Sequence, residues 1–490
     1  MNKKMIFHML GRIVTLQAVL MALPLICGII YMEKSVASFF ITMAIALALG
    51  AVLTLCNKPE NKTIFAREGF IIVALAWIVM SAIGALPFVF SGAIPSYTDA
   101  FFETVSGFTT TGASIIESGL EDMPKCILFW RSFTHWIGGM GVLVLVMAIV
   151  PTDTGRSIHI MRAEMPGPIV GKLVPKIKTT AKILYLIYIA MTLVQIMMLF
   201  FGGMSLFESI VHSFGTAGTG GFGIKSNSIT SYSAYHQWVI TAFMILFGVN
   251  FNLFYLFIMR KFRSVFKSEE LWIYISIILV SITLIAFNIY PRYENISDTV
   301  RNSSFQVASV ISTTGYATAD FNMWPTLSKA ILFLLMFIGA CAGSTAGGLK
   351  VSRVILLFKQ IRSNLKQMLH SRSVTSIKLE GRTVENGTVA NVTTYFVIYV
   401  MCMAIIFLVL SAADSFDMET NASAVAACFN NIGPGFGKVG PASSYAAYSV
   451  ISKWTLSIGM LMGRLEILPM LLLFAPSSWI RFRAKKRVGR

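Results

Sequence analysis

The stretch FTTTGAS at Phe108–Ser114 follows the helix-like FFETVSG at the edge of a long apolar segment. Three threonines and a glycine are poor helix formers. Lipid offers no water to satisfy their backbone groups, so such a run is tolerated at membrane depth only where protein buries it or where it lines a watery cavity. The run is not alone. SGFTTTGAS (Ser106–Ser114), HSFGTAGTGGFG (His212–Gly223), SVISTTGYAT (Ser309–Thr318) and ACFNNIGPGFG (Ala427–Gly437) are spread along the chain at similar intervals. Each follows a stretch able to form a short helix, such as Tyr97–Gly107 or Asp417–Ala427.

The surroundings are those of a membrane protein. The chain has 490 residues, 56% hydrophobic and 13% charged, with a mean hydropathy of +0.72. A bilayer core needs roughly 20 apolar residues per helix. Ten runs qualify as spans: Ile13–Tyr31, Ser38–Leu55, Gly69–Phe90, Ile127–Val150, Ile183–Phe201, Trp238–Ile258, Leu271–Ile289, Leu327–Ile338, Val389–Leu410 and Ile451–Phe474. The alternating segments of a transmembrane β-barrel are not seen. The net charge of +18 is a matter of topology. Lys58, Lys62 and Arg67, then Arg156 to Lys182, Arg260 to Lys267, Arg353 to Arg382 and the tail Arg481–Arg490 fall in alternate loops, while the loops between hold Glu103, Glu117, Glu121, Glu208, Asp320 and Asp417. This positive-inside pattern places both termini in the cytoplasm and ascribes the basic excess to lipid contact, not nucleic acid.

The runs and spans together predict an all-α polytopic membrane protein. Two N-terminal transmembrane helices (1–57) precede four helix–pore loop–helix repeats in pseudo-fourfold arrangement, at 58–155, 156–265, 266–370 and 371–490. The third repeat carries a broken second helix, and the fourth a basic cytoplasmic tail. Four such loops around one axis are the geometry of a cation pore lined by backbone carbonyls. Carbonyl and hydroxyl oxygens replace the hydration shell without fixed charge, so an ion enters and also leaves. The expected lining is Thr110, Thr111 and Gly112; Gly220 and Gly221; Thr313, Thr314 and Gly315; and Asn431, Ile432 and Gly433. Register in the second run stays open between Gly218, Gly220 and Gly221.

Two further features stand out. Gly339–Gly348, GACAGSTAGG, interrupts what would be an overlong helix. It is either a kink at a close helix contact or a loop under the filter, a gate built from Gly343, Ser344, Thr345, Ala346, Gly347 and Gly348. Arg464 lies inside the last span, where a charge is expensive and faces a cavity or partner. It pairs with nearby Glu466 or stands as a positive barrier on the ion path. Arg131 is expected to pair with a carboxylate.

GFTTTGAS, TTGYAT and FNNIGPGFG, with WRSFTHWIGGMGV (Trp130–Val142) and GACAGSTAGGLKVSR (Gly339–Arg353), resemble the membrane subunits of the Trk/Ktr/HKT potassium transporter superfamily over essentially the whole chain. The resemblance implies potassium as the transported ion, a glycine in every filter run as the mark of potassium preference, an intramembrane gating loop, and an arginine at the position of Arg464. It also implies a homodimer with one pore per protomer. Regulation would come from a cytosolic nucleotide-binding ring of the TrkA/KtrA type, and the setting would be the bacterial inner membrane. The alternative is a sodium- or proton-coupled secondary transporter of sodium or another solute, which often uses broken helices near the midplane.

No enzyme and no organic cofactor is indicated. GFGKVG at Gly435–Gly440 fits a dinucleotide pattern but follows no strand. The histidines lack zinc-enzyme spacing, no Walker A run occurs, and the six cysteines form no CxxC pair.

Overall fold

The computed structural model describes residues 2–60, 66–141, 177–293, 295–370 and 376–476. The far half of the expected span Ile127–Val150, most of the basic loop after it, and the tail from Arg481 lie outside the described residues.

The chain is helical, as its apolar runs demand. Among the described residues, six helices are long and apolar enough to cross a membrane: Lys3–Ile30, Val36–Cys56, Arg67–Phe90, Thr179–Phe201, Glu269–Tyr293 and Gly387–Ala413. Their outward faces are apolar and bare, with Phe201 81%, Phe287 79% and Leu408 65% exposed. Water would not tolerate so much exposed hydrocarbon, and lipid does. The only strands among the described residues are Lys378–Leu379 and Arg382–Thr383, an antiparallel hairpin.

Two expected spans are broken. Trp238–Ile258 is the pair Ala234–Phe247 and Phe251–Ile258, bent by 93°. The break has tertiary partners: the Gly248 carbonyl accepts the Cys341 N–H at 3.0 Å, and the Phe251 N–H donates to the Gly343 carbonyl at 3.1 Å. The last span is likewise divided into Val450–Arg464 and Leu468–Phe474. Glu466 (φ 61°) and Ile467 (φ 55°) take positive φ between them. That is a strained state for a β-branched residue, and it turns Glu466 toward Arg353, 2.5 Å away.

Four short helices point into the centre: Tyr97–Phe108, Leu206–Gly218, Ile296–Ile311 and Met418–Phe429. Each starts at a residue whose side chain caps a backbone N–H: Ser96, Ser205, Asn295 and Asp417. Each carries a carboxylate in its first turn, at Asp99, Glu208, Asp298 and Glu419. Capping and charge both favour a helix start there. Their C-terminal ends run directly into the four polar stretches, which are buried among the surrounding helices.

Candidate cation pathway

The four runs share one backbone form. Thr110 (φ 54°), Thr219 (55°), Thr313 (56°) and Asn431 (57°) are left-handed, and two residues on stand Gly112 (77°), Gly221 (74°), Gly315 (85°) and Gly433 (98°). The residue between them donates its N–H back into the helix. Thr111 bonds to the Ser106 carbonyl at 2.8 Å, Gly220 to Gly215 at 2.9 Å, Thr314 to Ser309 at 2.8 Å and Ile432 to Ala427 at 2.8 Å. This is a left-handed helix stop that satisfies the helix's last carbonyls. Register in the second run is thereby resolved: Thr219, Gly220 and Gly221 match Thr110, Thr111 and Gly112, and Gly218 ends the helix. Thr219 is the member that sequence reasoning missed. Its neighbouring glycines hid it, and the only usable signal was its threonine two places before a glycine.

The four runs close on one another. A Cβ on Gly112 would overlap the carbonyl oxygen of Gly220, and one on Gly221 that of Thr314. One on Gly315 would overlap that of Ile432, and one on Gly433 that of Thr111. Each glycine therefore seats the carbonyl of the next run in chain order, and the fourth returns to the first. At Gly112 the demand is double, since a side chain would meet both the positive φ and the facing oxygen. All eleven expected lining residues lie in this ring. Four helix C-terminal ends meet there, and their partial negative charge favours a cation. Among the described residues, no group of three or more His, Cys, Asp or Glu is gathered to hold a metal.

The ring is braced from behind. Arg131 Nε meets Glu103 Oε1 at 2.6 Å, with the side chains only 3% and 0% exposed. Glu103 also accepts the Ser114 hydroxyl and the Ile115 N–H, each at 3.0 Å, while Arg131 Nη1 donates to the Gly223 carbonyl at 2.8 Å. The pair thus ties the exits of the first and second runs together, and the expected carboxylate partner of Arg131 is Glu103. Glu103→Gln leaves the guanidinium buried without its counter-charge, which costs about 3–5 kcal/mol. A clearly lower thermal unfolding midpoint of the purified protein in detergent is expected; an unchanged midpoint would show that the brace carries no load. His135 makes a parallel link. Its Nδ1 lies 2.7 Å from the Gly107 carbonyl, and its Nε2 accepts the Phe222 N–H at 3.3 Å. The histidine thus links the end of the first short helix to the second run. Asn431 Nδ2 donates to Thr111 Oγ1 at 2.9 Å, and the Tyr445 hydroxyl to the Gly433 carbonyl at 2.7 Å.

One cavity opens at the ring and another at the loop Gly339–Gly348. A cavity of ≈ 90 Å³ is lined by Gly112, Gly221, Gly315 and Gly433, with Glu117 and Lys225 at its wall. Another of ≈ 30 Å³ is lined by Gly343, Ser344, Ala346, Gly347, Lys350 and Arg464. Between the helices Thr326–Met336 and Val351–Leu369 the chain is non-helical, as its four glycines favour. This loop touches the ring, because the Gly347 N–H donates to Thr313 Oγ1 at 2.7 Å. Lys350 Nζ turns back onto the carbonyls of Ala346 and Gly347. Of the two sequence alternatives for Gly339–Gly348, a loop stands here and not a kink.

Arg464 does not pair with Glu466, whose partner is Arg353. Its Nη1 donates to the Thr345 carbonyl at 2.7 Å, and its Nη2 to the carbonyls of Gly138 and Gly139 at 2.7 and 2.8 Å. One guanidinium therefore ties the loop to the helix Lys125–Gly139.

A family model described as TrkH, cation transport protein, matches residues 35–481. The chain is 38% identical over 485 residues to the Trk system potassium uptake protein TrkH of Salmonella typhimurium, covering 98% of this chain and all of that one. It is 34% identical to the Trk system potassium uptake protein TrkG of Escherichia coli, covering 97% and 98% of the two chains. The crystal structure of the potassium transporter TrkH from Vibrio parahaemolyticus superposes with a TM-score of 0.87 at 33% identity, covering 98% of this chain and all of that one.

Proposed function

The chain belongs to the TrkH family of cation transport proteins, and on that premise we propose that it takes up potassium through a channel-like path across the bacterial inner membrane. The observation that carries this reading is the closed ring, in which each of four glycines seats the carbonyl of the next run. Carbonyls of the ring residues, with the hydroxyls of Thr110 and Thr313, act as the filter for the dehydrated ion. The loop Gly343–Gly348 and Arg464 act as the gate beneath it. The four repeats, divided as in the sequence, each contribute one quarter of the filter. The protein is a transporter, not an enzyme, with potassium as its cargo and lipid around it.

Control comes from a cytosolic nucleotide-binding ring, and two copies of the chain assemble with one pore each. The basic loops support a cytoplasmic position for both termini. Two buried carboxylates are already engaged, Glu103 by Arg131 and Glu270 by backbone amides. That favours a pore over a proton-coupled carrier.

The test is growth of a potassium-uptake-deficient bacterium expressing this chain with its cytosolic partner, together with rubidium influx into liposomes. Rescue at low potassium and rubidium influx are expected. Failure of both would overturn the reading.

A further inference from the structure

The cytoplasmic end of the loop is tied to a structure that the ion path does not use. Glu270 is 7% exposed. Its Oε1 accepts the Ala342 N–H at 2.8 Å and the Ser352 N–H at 3.1 Å. Ala342 lies near the start of the non-helical segment, and Ser352 just past its end. A single carboxylate oxygen therefore holds both ends of the loop.

Glu270 is itself held. It is the second residue of the helix Glu269–Tyr293, whose first amides have no partner within the helix. Glu380 supplies one from 110 residues away: its Oε1 accepts the Glu270 N–H at 3.1 Å and the Ser268 hydroxyl at 3.0 Å. A carboxylate at a helix N-terminus is favoured by the helix dipole as well. Glu380 sits at the tip of the hairpin Lys378–Thr383. There Glu380 (φ 52°) and Gly381 (φ 74°) form the two-residue left-handed turn that suits a tight hairpin. A third strut closes the cluster. Lys359, on the helix that follows the loop, reaches Glu269 at 2.5 Å and the Lys378 carbonyl at 2.7 Å.

We infer that the hairpin Lys378–Thr383 is a latch: Glu380 fixes the start of the helix Glu269–Tyr293, and Glu270 thereby holds the loop in place under the ring. Glu380 and Glu270 are positioning residues and touch no ion. Displacing the hairpin frees both ends of the loop together, whereas a disturbance at the ring frees neither. The consequence for flux rests on the proposed function; the consequence for loop mobility does not.

Hydrogen exchange on the full-length protein separates the two. In Glu380→Ala, residues 339–352 are expected to exchange roughly two- to five-fold faster than in the wild type, the range for a carboxylate lost from a helix N-terminus. Residues 97–116, which hold the first run, are expected to keep their protection. Gly381→Val, which blocks the turn while leaving Glu380 in the chain, is expected to act in the same direction. Rubidium influx into liposomes without the cytosolic partner is expected to rise by a similar factor. Unchanged exchange over 339–352 in both variants would overturn the latch. So would a loss of protection spread equally to 97–116 in both. Faster local exchange with no rubidium influx in any variant supports the latch and overturns the ion-path reading instead.

Discussion

Gly112→Ser is expected to insert and fold, and to lose about ten-fold or more of its preference for potassium over sodium. The serine must either adopt a left-handed backbone, at about 1–2 kcal/mol for a residue with a Cβ, or rotate the peptide away. In the first case its Cβ would overlap the Gly220 carbonyl oxygen, so that oxygen has to move; in the second the peptide at position 112 itself moves. A filter built from carbonyls discriminates by how many oxygens surround the ion and how they are held. Displacing one of four facing carbonyls needs to change the differential binding by only about 1.4 kcal/mol to cost ten-fold. Competition of sodium against rubidium influx in liposomes measures this directly. Unchanged preference would mean that Gly112 does not face the ion path. The brace behind it is separate, since Glu103 and Arg131 bond to Ser114, Ile115 and Gly223 beyond the ring. Thermal stability should therefore change far less than in Glu103→Gln.

Arg464→Ala is expected to raise rubidium influx without the cytosolic partner by ten-fold or more. Two effects act in the same direction. Arg464 donates hydrogen bonds to Thr345 on the loop and to Gly138 and Gly139 on the helix Lys125–Gly139. Its removal releases the loop on the side away from Glu270. It also removes a positive charge from the cavity beneath the ring. Two unit charges 4 Å apart repel by about 4 kcal/mol at an effective dielectric constant near 20, so even a screened fraction is a large barrier to a passing cation. Arg464→Lys should fall between the two, because it keeps the charge but cannot span both attachment points. Influx in Arg464→Ala no higher than in the wild type would remove the arginine from the path.

Most of the fold could be read from the chain because lipid imposes a simple rule. Long apolar runs must be helices, and the polar runs between them must be buried. FTTTGAS, STTG and NNIG violated helix propensity in the same way, and that shared violation located the ring. What escaped was decided by tertiary contacts. GVN at Gly248–Asn250 holds two poor helix formers, and Asn250 caps the next helix, but a glycine and an asparagine alone do not announce a 93° bend; the loop residues Cys341 and Gly343, which bond to its flanks, hold it. Leu465–Ile467 has good helix formers, yet the helix stops there and Glu466 pairs with Arg353 across the fold. His135 in WRSFTHW and Glu270 in KSEELW carry no distinctive pattern, and only the carbonyls and amides around them reveal their roles. The second run remained ambiguous in sequence because its five glycines offer several registers, and a left-handed threonine selects one.

The most direct test is anomalous density from crystals grown with thallium or rubidium in place of potassium. Density is expected on the axis of the ring, within ligand distance of the carbonyls of Thr111, Gly220, Thr314 and Ile432. A well-occupied ion elsewhere in the membrane region, with the ring axis empty, would contradict the assignment of these four runs as the filter.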